Sequence, residues 1–218
     1  NCYLLKKLDL SSFDTSNVTN MASMFRYCKA LTSLNLSSFN TSKITSMNAM
    51  FGDCESLTSL DLSSFDTSNV TSMRSTFQNC NSLISLDLSN FNTSKVTLME
   101  EMFRSCHSLL NLNLSGFDTS SVTSTWYMFR DCDKLTELDL SSFNTSKVTN
   151  MNSMFGNCTT LKTIYVSELW DVSNVPSSDS IFYNCQLLAG AVSYDRTKTD
   201  KTMANYTTGY LTYKKNTN

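Results

Sequence analysis

A cysteine returns every 26 residues along this chain. It stands at Cys2, Cys28, Cys54, Cys80, Cys106, Cys132 and Cys158 and, after one inserted residue, at Cys185. The residues around it return as well. Glu55 to Cys80 reads ESLTSLDLSSFDTSNVTSMRSTFQNC, and its neighbours differ from it at only a handful of positions. A fixed period of roughly 20–50 residues is the mark of a repeat array. One unit cannot bury its apolar side alone, so each closes its core against the next. Counted from the residue after each cysteine, the units are 3–28, 29–54, 55–80, 81–106, 107–132, 133–158 and 159–185. Residues 1–185 are thus expected to form one solenoid, and 186–218, rich in Lys, Thr and Tyr, a C-terminal cap. Because the chain opens inside a repeat, it reads as a piece of a longer protein.

Three segments can be told apart in a unit. In Leu57 to Phe65, Leu60 and Leu62 alternate with Ser59, Asp61 and Ser63. Period two predicts a strand with one buried and one wet face, and stacked units predict a parallel sheet. Asp66-Thr-Ser-Asn-Val-Thr71 is turn chemistry, with side chains that satisfy their own backbone. In the third segment Met47, Met50, Phe51 and Cys54 fall at i, i+3, i+4 and i+7, which predicts a helix of about two turns. The expected fold class is therefore α/β, with a parallel sheet on one face of the stack and short helices on the other.

Phe51 to Phe65 fits FxxCxxLxxLxLxxF. This pattern resembles the BspA-type leucine-rich repeats of bacterial surface proteins in their 26-residue form, with the F-[DN]-T-S-x-V turn. The resemblance covers residues 3–185, and Tyr194-Asp195 and Gly209-Tyr210-Leu211-Thr212 are similar to that family's C-terminal end. The last unit departs from the pattern: Trp170 replaces the turn Phe, Pro176 replaces a Thr, and one residue is inserted between Val166 and Trp170. The resemblance implies a right-handed leucine-rich-repeat solenoid, found at the cell surface or secreted, that adheres to host cells, matrix proteins or other microbes.

Repetition makes columns. Leu34, Leu60, Leu86, Leu112 and Leu138 form one buried column, and Leu36, Leu62, Leu88, Leu114 and Leu140 another. A third holds Phe25, Phe51, Phe77, Phe103, Phe129 and Phe155. Equivalent cysteines one coil apart stand about 4.8 Å from each other, too far and too parallel for a disulfide. They are expected as buried reduced thiols. The Met columns, such as Met47, Met73 and Met99, read as core and not as a copper site. Without a CxxC, and with His107 as the single histidine, zinc is not expected.

The turn alternates Asp14, Asn40, Asp66, Asn92, Asp118, Asn144, Asp171, and three residues later Asn17, Lys43, Asn69, Lys95, Ser121, Lys147, Asn174. This avoids stacking like charges and is expected to set each Lys near an Asp of an adjacent coil. On the wet face of the strand, Asp9, Asn35, Asp61, Asp87, Asn113 and Asp139 run down the middle, flanked by residues such as Ser59, Ser85 and Glu137. This strip is the first candidate binding surface. Asp61 beside Asp87 is its best cation candidate, although a flat sheet seldom wraps a calcium ion, and no metal is assigned. The second candidate is an apolar patch of Leu98, Trp126 and Tyr127, expected to be exposed. Sequons such as Asn17-Val-Thr and Asn69-Val-Thr recur because the unit recurs.

The function classes narrow accordingly. Net charge is −2 and the isoelectric point is near 5.4, which leaves no basic field for nucleic acid. No apolar stretch approaches the ~18 residues of a membrane span. No nucleophile–base pair and no phosphate loop is visible, so neither catalysis nor a cofactor is expected. The sequence predicts a binding module for a host or matrix protein or a glycan. The alternative is a passive stalk, and the open edge at residues 1–10 is a potential site of self-association.

Overall fold

The computed structural model describes residues 2–175 and 180–216. Pro176 lies outside the described residues. Successive units stack with equivalent residues side by side. Parallel bridges join Asn20 to Ser46, Ser46 to Ser72, Ser72 to Leu98, Leu98 to Ser124 and Ser124 to Asn150, each step being one repeat.

The strands are short. They are β1 (Ser85–Asp87), β2 (Asn111–Asn113), β3 (Glu137–Leu140), β4 (Thr163–Val166) and β5 (Thr212–Tyr213). β1 pairs with β2, and β3, β4 and β5 form a second ladder, all parallel. The register is one repeat per step, with Leu86 beside Leu112 and Leu138 beside Ile164. The parallel sheet read from the sequence is thus two short ladders among the described residues. The middle residue of each strand segment explains the brevity. Asp61, Asp87, Asn113 and Asp139 each use Oδ1 to accept the N–H two residues on, from Ser63, Ser89, Ser115 and Ser141. That side-chain turn takes the donor that a longer ladder would need.

The short helices of the sequence reading do not form. Among the described residues the sole helical element is a 3₁₀ turn at Lys201–Met203. In the expected helix of residues 73–80, Ser75 and Asn79 have φ of 55° and 57°. Left-handed residues break α geometry. The same two positions are left-handed in each unit, as in Ala49 with Asp53 and Glu101 with Ser105, and none of these residues is Gly. The backbone then alternates its donors. The N–H groups of Thr76, Gln78 and Cys80 close turns onto Met73, Ser75 and Phe77. Those of Met73, Ser75, Phe77 and Asn79 reach the carbonyls of Leu98, Glu100, Met102 and Arg104 in the next coil. Half of the hydrogen bonding a helix would keep to itself joins coil to coil instead.

Between these two faces lies the core. The Leu, Met and Phe columns are buried, apart from Leu112, which is partly so. From Phe25 to Phe182 the rings stack with centroids 5.5–5.8 Å apart and planes within 12°. All eight cysteines are free thiols, and seven are buried. Each from Cys54 onward points its Sγ at the carbonyl of the Phe one coil back, as Cys80 does at Phe51 (3.3 Å) and Cys106 at Phe77 (3.2 Å). Burial pushes the Cys54, Cys106 and Cys185 thiols up to about 12, and those of Cys80, Cys132 and Cys158 well above their ordinary range.

A further ladder hides in the turns. Thr15, Thr41, Thr67, Thr93, Thr119 and Thr145 are buried. Thr93 Oγ1 donates to the Asp118 carbonyl at 2.8 Å and accepts the Asp118 N–H at 2.9 Å, and Thr41 serves Asp66 likewise. One hydroxyl thus satisfies two backbone groups of the next coil. Thr93→Val keeps the shape and removes both bonds, so it is expected to cost about 1–3 kcal/mol in urea unfolding. Thr97→Val, at an exposed hydroxyl, should stay within about 0.5 kcal/mol.

The last unit meets the cap through the residue that departs from the pattern. Trp170 is buried where other units have Phe, and its Nε1 donates to the Ala204 carbonyl at 3.1 Å. Tyr210 sets its ring edge-on to Phe182 and ends the Phe column, while β5 adds to β4. At the other end Leu4 is 89% exposed.

Candidate functional site

The strand face is built by alternation. Leu60 and Leu62 are drawn into the core, so Ser59, Asp61 and Ser63 point outward. Asp9, Asn35, Ser59, Asp61, Ser85, Asp87, Asn113, Glu137 and Asp139 are all exposed, on one face at successive levels of the stack. Ser59, Asp61, Ser85 and Asp87 line one open groove of about 450 Å³. Ser85, Asp87, Asn113, Glu137 and Asp139 line the next, of about 560 Å³, and Asp9 and Asn35 lie on the strip toward the N-terminal coils.

The strip is acidic and pre-ordered. The backbone N–H groups of Ser11, Ser63 and Ser89 hold the carboxyls of Asp9, Asp61 and Asp87 below their usual range. One oxygen of each is thereby committed, and Asn113 adds a side-chain hydrogen bond to Asp87. Asp139 differs. Its partial burial raises the carboxyl, but Lys214 and Ser141 outweigh this and lower it. Lys214 Nζ lies 2.5 Å from Asp139 Oδ2 and 5.5 Å from the centre of the Tyr165 ring. Among the described residues no group of three or more His, Cys, Asp or Glu could hold a metal ion.

Several residues of this face escaped the sequence reading. Lys214 and Tyr165 close the C-terminal end of the larger groove; Lys214 lies past the last repeat, and Tyr165 takes the place of Asp139 in the divergent last unit. Leu110 borders that groove at 50% exposure, and Ile84, at the same level of the coil before, is 48% exposed. Both stand in a column that otherwise reads Lys6, Thr32, Thr58, Thr136 and Lys162. An aliphatic pair in an otherwise polar column was a visible signal of an apolar border beside the acidic strip.

The second candidate does not form an exposed apolar patch. Leu98, Trp126 and Tyr127 are each half-buried. Trp126 stacks on Tyr127 at 4.4 Å, and Tyr127 lies between the guanidinium groups of Arg104 (5.2 Å) and Arg130 (4.6 Å). Leu98 is bridged to Ser72 and Ser124 in a different column. The long arginine side chains cover the aromatic surface, which is why it is not free.

The turn columns follow half of the expectation. Lys43 Nζ donates to Asn17 Oδ1 at 2.8 Å, and Lys95 to Asn69 at 2.7 Å, so the bonded partner is Asn and not Asp. Each Lys is still near enough to help lower Asp14 or Asp66, after the larger effect of Ser16 or Ser68. Asn69 in turn donates to the Ser42 carbonyl, so three coils are linked. His107 is exposed, and its Nδ1 lies 2.7 Å from Asp133 Oδ2 of the next coil, a contact between adjacent coils like that of Lys29 with Glu55.

Among the described residues no helix is long and apolar enough to cross a membrane. No curated protein and no solved structure matches the chain. A family model described as "Mycoplasma protein of unknown function, DUF285" matches residues 2–109, 79–194 and 107–217. The three matches overlap along the chain, as an internally repeated sequence requires, and together they span it almost end to end. The chain belongs to this repeat family.

Proposed function

We propose that the chain is a non-catalytic extracellular binding module of a bacterial surface protein. In this reading it is a right-handed leucine-rich-repeat solenoid of BspA type that adheres to host or matrix proteins, glycans or other cells. One observation carries the reading. Acidic and amide side chains stand outward on one face at successive coils, pre-ordered by their own backbone, with two adjoining grooves along them. Preordered groups lose little entropy on contact, and repetition adds avidity. The apolar border at Ile84 and Leu110 supplies contact area beside the charges.

A passive stalk is the second reading, and one fact favours it. Each strip residue from Asp9 to Asp139 already serves its own turn, so structure alone accounts for its presence. The two readings separate on an array of matrix proteins, mucins and glycans. An adhesin binds saturably, and Asp61→Ser with Asp87→Ser weakens it at least tenfold, the loss of charged contacts worth about 1.5 kcal/mol or more. A stalk is silent on the array.

A further inference from the structure

The cap carries a second site that repetition does not explain. Tyr183, Asn184, Gln186, Tyr194 and Arg196 line a cup of about 620 Å³, within the range of roughly 300–1,000 Å³ typical of ligand pockets. It lies where the stack ends, and its walls are held in place. The Tyr194 hydroxyl accepts the Asn184 N–H at 3.1 Å, and its ring packs 5.7 Å from that of Tyr210. The Tyr210 hydroxyl in turn accepts the Asp195 N–H and donates to the Lys198 carbonyl. Lys198 N–H closes the turn onto the Asp195 carbonyl. Arg196 therefore projects from a turn fixed at both ends.

The floor is ordered as well. Asn184 Nδ2 donates to Asn157, and Gln186 Nε2 donates to Asn184 Oδ1 at 2.6 Å. Tyr183 is 53% exposed, and Arg196 is exposed with no hydrogen-bond or ion-pair partner among the described residues. Its neighbour Asp195 commits its carboxylate to Thr197 N–H and Oγ1, and Arg196 adds only a small electrostatic lowering to it.

We infer that this cup binds a carboxylated saccharide. A pyranose ring offers an apolar C–H face that suits a tyrosine ring, and hydroxyls that suit planar amides. A guanidinium fork matches a carboxylate with two parallel hydrogen bonds. Two tyrosines, two oriented amides and one unpaired guanidinium are that combination. The site is independent of the strand face, whose acidic strip would repel the same ligand.

Calorimetric titration of the whole chain with sialyllactose and with a hyaluronan tetrasaccharide tests it, each beside its neutral counterpart, lactose and the carboxyl-reduced tetrasaccharide. At least one acidic saccharide binds, about tenfold or more tighter than its neutral form, and which one binds distinguishes a sialic from a uronic acid. Arg196→Ala weakens it about tenfold, and Tyr183→Ala removes it. Both side chains are exposed, so unfolding midpoints should not move. If either variant does unfold early, Arg196→Gln and Tyr183→Leu replace them. The Asp61→Ser/Asp87→Ser protein binds as the parent does. No binding of either acidic saccharide at millimolar concentration overturns the inference. So does equal binding of the neutral forms, full binding by the Arg196 or Tyr183 variants, or loss in the strand-face variant.

Discussion

Raising the pH from about 8 to about 10.5 should unfold this protein cooperatively. Seven buried thiols, Cys28 to Cys185, have their ionisation pushed up, chiefly by burial. The unfolded chain ionises them near 9.0, whereas folded Cys54, Cys106 and Cys185 hold their protons to about 12. Burial outweighs the backbone hydrogen bond from the cysteine one coil back, which on its own would favour the thiolate. A group whose folded value is raised gives stability that is complete below the unfolded value and lost as pH climbs toward the folded one. At about pH 10 each of the six thiols from Cys54 to Cys185 has withdrawn roughly 1.4 kcal/mol, together about 8 kcal/mol. That is comparable to the whole stability of a typical domain, about 5–15 kcal/mol.

The slope isolates the cause. The fall of unfolding free energy with pH counts the protons released on unfolding. Cys80→Ala with Cys106→Ala should lower that count by about two while leaving the tyrosine and lysine contributions alone. Urea unfolding at a series of pH values measures it. A slope indifferent to the two substitutions would show that the thiols are not the groups responsible.

Phe77→Ala should be the most damaging single substitution in the middle of the stack. The ring is fully buried and lies 5.6 Å from Phe51 and 5.6 Å from Phe103, nearly parallel to both. Its removal costs about 3–5 kcal/mol, and no neighbouring coil can close the gap without breaking its own bonds to the next. In an array held by nearest-neighbour contacts, one weak interface divides the stack. Phe77→Ala is therefore expected to unfold in two steps or with a reduced urea slope. Phe25→Ala, near the free end, should fray only the first coils. Equal and fully cooperative losses in the two variants would mean that the coils do not couple one to the next.

The sequence was informative about which residues face inward and less so about the backbone that puts them there. Leu60, Leu62, Phe77 and Cys80 fall in the core, and Asp61 and Asp87 fall outside, as period two and the columns predict. The spacing of Met47, Met50, Phe51 and Cys54 imitates a helix because a chain of tight turns brings the same residues inward at nearly the same interval. The contrary signal was present in the residue before each cysteine from Cys28 onward. That column reads Tyr27, Asp53, Asn79, Ser105, Asp131, Asn157 and Asn184, and Asn and Asp are the non-glycine residues that best tolerate the left-handed region. The threonine ladder was hidden for another reason. Thr in a turn reads as a local cap, and only the stacking of coils shows that Thr93 serves Asp118. In the cap, where no column exists to compare, Lys214, Tyr194 and Arg196 carried no signal of their roles.

Residue-resolved amide hydrogen exchange tests the stacking most directly. If alternate donors bind the next coil, the N–H groups of Met73, Ser75, Phe77 and Asn79 are protected as strongly as that of Cys80, although two of them belong to left-handed residues. Rapid exchange at those four positions, beside a protected Cys80, would contradict the account and leave the coils joined by side chains alone.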